Sequence, residues 1–220
     1  MAAKLNGKEL KKFTEFGRKI IGVGRNYRDH AKELGNSVPE TPLLFLKPAT
    51  AYIHEGKEIK IPQGSEDFQH EVELGVVIGK NGTNVDENQA MNHVGGYVLA
   101  LDMTARDFQR EASKNGQPWL FAKGCDTTCP VSDFIPKDKV SDPHNLRLWL
   151  KTDGVMKQDG NTKDMIFPIN FLISYISNFV SLETGDLILT GTPAGVSAVV
   201  AGQRITAGLN DLVEMSFIVK

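Results

Sequence analysis

Two glutamates in one β-rich segment are the first residues whose types and spacing suggest chemistry. Glu71 and Glu73 follow His70 and precede a Val-rich run that is typical of a buried strand. On a strand, both carboxylates point to one face, about 6.5–7 Å apart, and His70 points to the other. Two carboxylates on a buried face need a counter-charge, and a divalent cation is the simplest one. Their hard oxygen ligands suit Mg²⁺, Mn²⁺ or Ca²⁺ better than Zn²⁺, although an isolated Glu-x-Glu more often faces water.

A third acid lies where another apolar segment ends. Asp102 closes this segment, and Arg106 and Gln109 come shortly after it. An acid at the exit of a strand often belongs to a site that loops build on a rigid scaffold. Asp102 is therefore a candidate third metal ligand, and Arg106 is suited to hold a carboxylate through two hydrogen bonds. The alternative is that Asp102 caps a helix beginning at Thr104 or Ala105, with the arginine as a surface ion partner.

A histidine and a glutamate three residues apart form the next candidate pair. If Tyr27–Leu34 is a short helix, the side chains of His30 and Glu33 meet on its surface. A carboxylate beside an imidazole raises its basicity and selects its tautomer, as a general base for water requires. The same spacing also fits an ordinary surface pair that contributes only a small amount to helix stability.

Two further segments offer groups for an anionic ligand. Lys123 ends an apolar stretch, where its ammonium group either neutralises an enolate or carboxylate or extends to solvent along its stem. Thr190–Val196 is a tight turn whose backbone N–H groups and Thr192 hydroxyl are suited to an anion. The turn lacks the Gly-Lys-Ser/Thr ending of a phosphate loop, which argues against nucleotide binding.

The elements that must position these residues are mostly strands. Asp153-Gly154 predicts a two-residue hairpin turn, and helical spacing predicts helices over 27–34 and 168–180, the latter with Pro168 at its first position. An α/β wound sheet would need a helix after nearly every strand. The pattern therefore favours an α+β, mostly β fold, arranged as a mixed and mainly antiparallel roll or sandwich. Strands are predicted at 20–24, 43–46, 70–78, 95–103, 146–150, 186–190 and 212–219.

Composition limits the functions that are open to the chain. Its 220 residues carry 25 Lys and Arg against 27 Asp and Glu, so the positive field of a nucleic-acid-binding protein is absent. No apolar run approaches the roughly 20 residues that span a bilayer. The two cysteines, Cys125 and Cys129, cannot build a disulfide scaffold and are interpreted as packing residues. We expect one domain without nucleic-acid or membrane partners.

The N-terminal segment has two interpretations. It is basic and weakly amphipathic, as a mitochondrial presequence is, but Glu9 and Glu15 are unusual in one. An ordinary surface helix explains the same residues. We therefore treat residues 1–17 as an extension that is either a targeting segment or a surface helix, and residues 18–220 as a single catalytic domain.

Together, these segments resemble the fumarylacetoacetate hydrolase superfamily over nearly the whole chain. Each motif is weak alone, but five in the same order with matching separations are specific. Two positions depart from the usual pattern: Gly124-Cys125 follows Lys123, and Ser197 stands where many members have Gly. The motifs are Gly24-Arg25-Asn26-Tyr27 with His30 and Glu33, Leu44-Phe45-Leu46-Lys47-Pro48, His70-Glu71-Val72-Glu73, Asp102-Met103-Thr104-Ala105-Arg106-Asp107 and Gly191-Thr192-Pro193.

The resemblance implies a mixed β-sandwich roll of the superfamily's C-terminal-domain type, which usually forms homodimers. It implies Mg²⁺ as the metal, with Mn²⁺ as a common substitute. By position, it assigns metal binding to Glu71, Glu73 and Asp102, catalysis to His30, Glu33 and Lys123, and substrate binding to Arg25, Arg106, Gln109 and Thr192.

The resemblance also implies an activity on small 2-oxo acids. The expected reactions are hydrolysis of the C–C bond in acylpyruvates and decarboxylation of oxaloacetate, both through a pyruvate enolate. Alternatives are an isomerase or hydratase of related substrates, a keto–enol tautomerase of oxaloacetate, and a non-catalytic binding module on a hydrolase scaffold. The expected location is the mitochondrial matrix, with the cytosol as the alternative.

Overall fold

A computed structural model describes residues 7–33 and 38–220. Residues 1–6 and 34–37 lie outside this description, and with them part of the N-terminal extension and the last residue of the predicted 27–34 helix. The α-helices are α1 (Gly7–Leu10), α2 (Phe13–Phe16), α3 (Arg28–Glu33), α4 (Arg106–Lys114), α5 (Leu120–Lys123) and α6 (Ile169–Ser177). The strands are β1 (Ile20–Gly24), β2 (Leu43–Lys47), β3 (Tyr52–Ile53), β4 (Glu58–Ile59), β5 (Phe68–His70), β6 (Val72–Ile78), β7 (Val94–Leu101), β8 (Thr104–Ala105), β9 (Cys129–Pro130), β10 (Ile135–Pro136), β11 (Arg147–Thr152), β12 (Val155–Asn161), β13 (Leu187–Leu189), β14 (Ser197–Ala198), β15 (Arg204–Leu209) and β16 (Val213–Val219).

Two large sheets dominate the architecture. The six-stranded sheet has the order β10-β7-β6-β13-β1-β2, and the five-stranded sheet has the order β12-β11-β15-β16-β4. Strands β14-β5-β8 and β3-β9 form two small sheets. Most pairs are antiparallel, but β1 runs parallel to β13, β16 to β4 and β3 to β9. This arrangement confirms the predicted α+β, mostly β class with mixed strand directions.

The two faces of the six-stranded sheet belong to different apolar clusters. Along β6, the even-numbered residues from Val72 to Ile78 join the larger cluster, which unites both large sheets with α6. Val77 of β6 and Ala100 of β7 belong to the smaller cluster on the other face. Because side chains alternate along a strand, Glu73 shares its face with Val77, and Asp102 with Ala100. Strand periodicity alone therefore directs these two acids to one face.

Most predicted strands shift by only one or two residues at their ends, whereas two predicted elements differ more from the structure. The predicted 70–78 strand is wrong in being continuous, because β5 pairs with β8 and β14 whereas β6 pairs with β7 and β13. Glu71 lies at the break between them. The predicted 168–180 helix ends at Ser177, and Pro168 is its N-cap rather than its first residue. The hairpin turn is confirmed, since Asp153 and Gly154 both have positive φ, at 47° and 81°.

The described part of the N-terminal segment, residues 7–17, contains the two four-residue helices α1 and α2, which contribute to the smaller cluster. Leu10 and Phe13 are buried there, and the Phe13 ring meets Tyr52 edge-on at 5.6 Å between ring centroids. The division between extension and catalytic domain at residues 17 and 18 stays a prediction. None of the helices within 7–33 and 38–220 is long and apolar enough to cross a membrane.

One buried amide ties together the chain segments that lead to the predicted site. Asn26 follows β1, and its Nδ2 donates to the carbonyls of Thr190, at 2.8 Å, and Phe167, at 3.0 Å. Its Oδ1 accepts from the backbone N–H of Phe167 at 2.7 Å. Next to it, Gly191 has a φ of 98°, and a Cβ there would lie 2.7 Å from the Asn26 Cβ. The ends of β1 and β13 are thereby held together, with the segment before α6.

We expect Asn26→Ala to lower the free energy of unfolding by about 2–4 kcal/mol, because three hydrogen bonds are lost and buried backbone groups lose their partners. Urea unfolding followed by circular dichroism measures this difference. Asn92→Ala is the matched control, since Asn92 is exposed and its side chain donates to that of the neighbouring Gln89. Equal unfolding midpoints for both variants would contradict the structural role of Asn26.

Candidate active site

The three predicted acids meet at the end of the six-stranded sheet, on the side of the smaller apolar cluster. One ligand oxygen from each of Glu71, Glu73 and Asp102 lies within 4.8 Å of the others. All three are buried, with 4%, 1% and 0% of their surface exposed. The backbone N–H of Asp102 donates to the carbonyl of Glu71 at 2.8 Å, so the break after β5 lies beside the end of β7. The exposed Glu-x-Glu and the helix-capping Asp102 are therefore excluded.

Two buried cations compensate part of this negative charge. Lys123 Nζ donates to Glu71 Oε2 at 2.8 Å, to Thr104 Oγ1 at 2.7 Å and to Asp102 Oδ2. The guanidinium of Arg106 pairs with Glu71 Oε1. Burial alone would raise the pKa of Glu71, but the charges of Lys123 and Arg106 lower it well below its ordinary value. Burial opposes the charge on Lys123, yet Asp102 and Glu71 raise its pKa, so Lys123 is a cation here.

A third cation, Lys47 at the end of β2, lies on the other side of Asp102. Its Nζ is 2.8 Å from Asp102 Oδ1. The three hydrogens of this ammonium group are directed to the carbonyls of Met103, Lys123 and Thr128, at 3.1, 2.5 and 3.0 Å. Within 7–33 and 38–220, no group donates a hydrogen bond to Oδ1. Lys47 therefore supplies charge, and Asp102 keeps one buried oxygen with an open lone pair.

Glu73 has the least compensation of the three acids. Its Oε2 accepts a hydrogen bond from the backbone N–H of Gly191 at 2.7 Å. Burial, followed by the negative charges of Asp102 and Glu71, raises its pKa well above the ordinary value. A cation placed between these carboxylates would reverse the shift, because it stabilises the ionised form.

The donor set fits a divalent metal ion. All three residues offer carboxylate oxygens, which Mg²⁺ and Mn²⁺ prefer. The open oxygen of Asp102 and the raised pKa of Glu73 show where positive charge is still needed. The ammonium group of Lys123 already provides a cation between the carboxylates of Glu71 and Asp102. Glu71, Glu73 and Asp102 are thus the residues that would hold the ion.

The predicted base and its orienting acid lie on α3, which contacts the turn after β13. His30 Nδ1 is 3.2 Å from Glu33 Oε2, and a carboxylate can only accept, so Nδ1 carries the hydrogen. Both carboxylate oxygens of Glu33 also accept from the backbone N–H of Gly195, at 3.1 and 3.2 Å. Gly195 has a φ of 98°, and a Cβ there would lie 2.0 Å from the carbonyl oxygen of Lys157. This crowded turn holds Glu33, and Glu33 in turn holds the buried imidazole of His30.

A cavity of about 540 Å³ joins these groups. Its wall brings together nine of the ten residues assigned from the sequence, and the tenth, Asp102, pairs with Lys123 of this wall. Phe45 and Trp119 supply an apolar part, with their ring centroids 5.9 Å apart. The assigned residues at the wall are Arg25, His30, Glu33, Glu71, Glu73, Arg106, Gln109, Lys123 and Thr192.

The comparisons with known proteins identify the family. Residues 19–220 match the family model described as fumarylacetoacetate (FAA) hydrolase C-terminal. The chain belongs to the fumarylacetoacetate hydrolase family. The chain is similar to "Oxaloacetate tautomerase FAHD1, mitochondrial" of Mus musculus, at 52% identity over 97% of this chain and 96% of the relative. It is also similar to "Oxaloacetate decarboxylase, mitochondrial" of Dictyostelium discoideum, at 55% identity over 92% of this chain and 94% of the relative.

A solved structure of the family has the same fold. The crystal structure of fumarylpyruvate hydrolase from Pseudomonas aeruginosa in complex with Mn²⁺ and pyruvate superposes with a TM-score of 0.89. It shares 36% identity, and the match covers 92% of this chain and 89% of that one. The names of the mouse and Dictyostelium relatives confirm the predicted mitochondrial localisation, whereas the matrix stays a prediction.

Several residues of this family site were not assigned from the sequence. Lys47 lies in a motif that carried the resemblance, but the residues alone do not distinguish a buried lysine from an exposed one. Gln69 accepts from Arg106 Nε at 2.9 Å, and Gln158 donates to Thr192 Oγ1 at 2.7 Å. Neither glutamine has a sequence signal, because both depend on pairing between distant strands.

We expect Glu73→Gln to raise the melting temperature of the metal-free protein by about 3 °C or more, because it removes a buried, poorly compensated charge. The amide oxygen can keep the hydrogen bond from Gly191. The same variant should lose the rise in melting temperature that Mg²⁺ or Mn²⁺ gives the unaltered chain. Differential scanning fluorimetry with and without the ions measures both effects.

Glu214→Gln is the matched control, because Glu214 is exposed and lies outside the cavity wall. It should keep both the melting temperature and the response to metal. A full metal response in Glu73→Gln would show that this carboxylate is not a ligand.

Proposed function

We propose that this chain is a divalent-metal-dependent enzyme that breaks the bond between C3 and C4 of small 2-oxo acids. The substrates are acylpyruvates, which it hydrolyses to pyruvate and a carboxylate, and oxaloacetate, which it decarboxylates to pyruvate. One observation carries this proposal: three buried carboxylates converge at a cavity that also holds the His30–Glu33 pair. The names of the mouse, Dictyostelium and Pseudomonas relatives support the substrate class.

The charges at the site favour a dianionic substrate. The three carboxylates are matched by the three cations Lys47, Lys123 and Arg106. A divalent ion would leave the site with a net positive charge, and Arg25 on the cavity wall adds to it. A substrate with two carboxylates, such as oxaloacetate, would balance this excess. Opposite charge attracts such a substrate into the cavity and holds it there.

When bound, Mg²⁺ or Mn²⁺ supplies Lewis-acid chemistry, because it stabilises negative charge that develops on the 2-oxo oxygen. Lys123 contributes a fixed positive charge beside the same carboxylates. Because Arg106 already contacts Glu71 and Gln109, it holds the cavity wall in place as well as facing an anion. These charges are in position before the reaction, so little reorganisation is needed.

The His30–Glu33 pair activates water for the hydrolysis. With the hydrogen on Nδ1 directed to Glu33, Nε2 has the free lone pair that takes a proton from water. The resulting hydroxide attacks the distal carbonyl of the acylpyruvate. Decarboxylation of oxaloacetate needs no attacking water, so the pair matters less for that reaction.

The resemblance to family members also leads us to propose a homodimer.

Keto–enol tautomerisation of oxaloacetate is a second candidate function. The mouse relative, at 52% identity, is named an oxaloacetate tautomerase. The His30 imidazole, set on the cavity wall by Glu33, is suited to move a proton at C3 as well as from water. The two functions share the acid cluster and differ in whether a C–C bond breaks.

The activity is tested with purified protein on acetylpyruvate and oxaloacetate, with product identification by NMR. We expect pyruvate from both substrates, loss of turnover in EDTA, and recovery when Mg²⁺ or Mn²⁺ is restored. Oxaloacetate enol decay without pyruvate formation would favour the tautomerase. No chemical change in either substrate would indicate a non-catalytic binding module.

His30→Ala should reduce acetylpyruvate hydrolysis by about 10²–10⁴-fold, because the general base is removed. Mg²⁺ affinity should change less than twofold, since the three acids are untouched, and oxaloacetate decarboxylation should fall less than hydrolysis. Isothermal titration and steady-state kinetics measure the three quantities. The control His54→Ala alters an exposed histidine outside the cavity wall. An equal loss of metal binding and hydrolysis would contradict the assigned role of His30.

A further inference from the structure

Behind the turn that carries Thr192, a buried glutamine links several polar groups. Gln158 lies on β12 and is fully buried. Its Oε1 accepts from the backbone N–H of Val72 at 3.1 Å. Its Nε2 donates to the carbonyl of Pro193 at 2.9 Å and to Thr192 Oγ1 at 2.7 Å. Because a backbone N–H only donates and a carbonyl only accepts, these contacts determine which end of the amide is which.

The contacts of His70 and Ser197 agree with this orientation of the Gln158 amide. His70 Nδ1 lies 2.8 Å from Gln158 Oε1, so Nδ1 carries the hydrogen of the neutral ring. His70 Nε2 then accepts from the hydroxyl of Ser197 at 2.8 Å. Ser197 and His70 are paired across β14 and β5. The hydrogen bonds therefore run in one direction, from Ser197 through His70 to the amide oxygen.

The contacts of the Thr192 hydroxyl with Gln158 and Val72 determine which hydrogen bonds it can still make in the cavity. Its hydroxyl accepts from Gln158 Nε2 and donates its single hydrogen to the carbonyl of Val72 at 2.8 Å. A hydroxyl has one hydrogen and two acceptor lone pairs. The hydrogen and one lone pair are used by the protein, so a ligand finds only an acceptor. The sequence predicts that this hydroxyl holds an anion, but in the structure its single hydrogen is donated to Val72, so it has none to offer an anion.

We propose that the Thr192 hydroxyl is an acceptor that selects the enol form of a 2-oxo acid over its keto form. At neutral pH, the carboxylate and keto oxygens of such an acid have no hydrogen to donate. The enol hydroxyl has one, and it can donate this hydrogen to the remaining lone pair of Thr192. A keto oxygen has no hydrogen, so its lone pairs would repel that of Thr192. This inference rests on the proposed function, because the enol takes part in the tautomerisation and is the form in which C–C cleavage first releases pyruvate, whereas the cleavage itself starts from the keto form.

The test compares two dianionic probes that differ in donors. Dihydroxyfumarate carries enol hydroxyl groups, and oxalate offers only acceptors. Each is titrated calorimetrically, without oxygen and with saturating Mg²⁺, into the unaltered chain, Thr192→Val and Thr192→Ser. We expect Thr192→Val to bind dihydroxyfumarate about five- to tenfold more weakly, the effect of one lost neutral hydrogen bond, and oxalate within twofold of the unaltered chain. Thr192→Ser should restore both affinities, and the surface variant Thr83→Val should change neither.

A comparable loss for both probes in Thr192→Val would show that the hydroxyl donates to anions, and would overturn the inference. Unchanged affinities would also overturn it, because water would then mediate the contact. If Thr192→Val does not fold, dimethoxyfumarate, the dimethyl ether that has no enol hydroxyl left, gives the same answer in the unaltered chain. Loss of both donors should weaken binding about five- to tenfold relative to dihydroxyfumarate, and equal binding would overturn the inference. Absence of binding of both probes to the unaltered chain would instead refute the proposed function.

Discussion

The structure depends on one electrostatic constraint: three carboxylates buried within 4.8 Å of one another cannot remain ionised without positive charge nearby. The chain supplies three buried cations, and each comes from a different element: Lys47 from β2, Lys123 from α5 and Arg106 from α4. These cations stabilise the negative charges of Glu71 and Asp102, but Glu73 keeps a raised pKa. The cluster is thus prepared for one further cation.

The fold meets this constraint through strand alternation and pairing. Residues of β6 and β7 that face the smaller apolar cluster lead to Glu73 and Asp102, and the break after β5 brings Glu71 beside them. The ends of β1 and β13 lie parallel and next to each other, where the side chain of Asn26 joins them. This junction carries the turn whose backbone N–H groups contact Glu73 and Glu33. Distant parts of the chain therefore meet where the central strands of the six-stranded sheet end.

Local patterns predicted five of the six strands of the six-stranded sheet and the hairpin at Asp153, because alternation and turn chemistry depend on neighbouring residues. They missed β12 and β15 of the five-stranded sheet. The break at Glu71 was not predictable in this way, since it arises when β5 and β6 choose different partner strands. For the site, residue types and resemblance indicated the acids and the His30–Glu33 pair. They did not indicate Lys47 or Gln158, whose roles come from burial and from contacts across the fold. The polarity of Thr192 likewise required knowledge of both its partners.

The contact between Glu33 and Gly195 couples two segments that are far apart in the chain. It joins α3, which follows β1, to the turn that follows β13, through both carboxylate oxygens of Glu33 and a single N–H. A bond of this kind contributes about 1–3 kcal/mol. The same carboxylate accepts from the imidazole of His30. The orientation of the His30 ring therefore depends on the conformation of a turn more than 160 residues further along the chain.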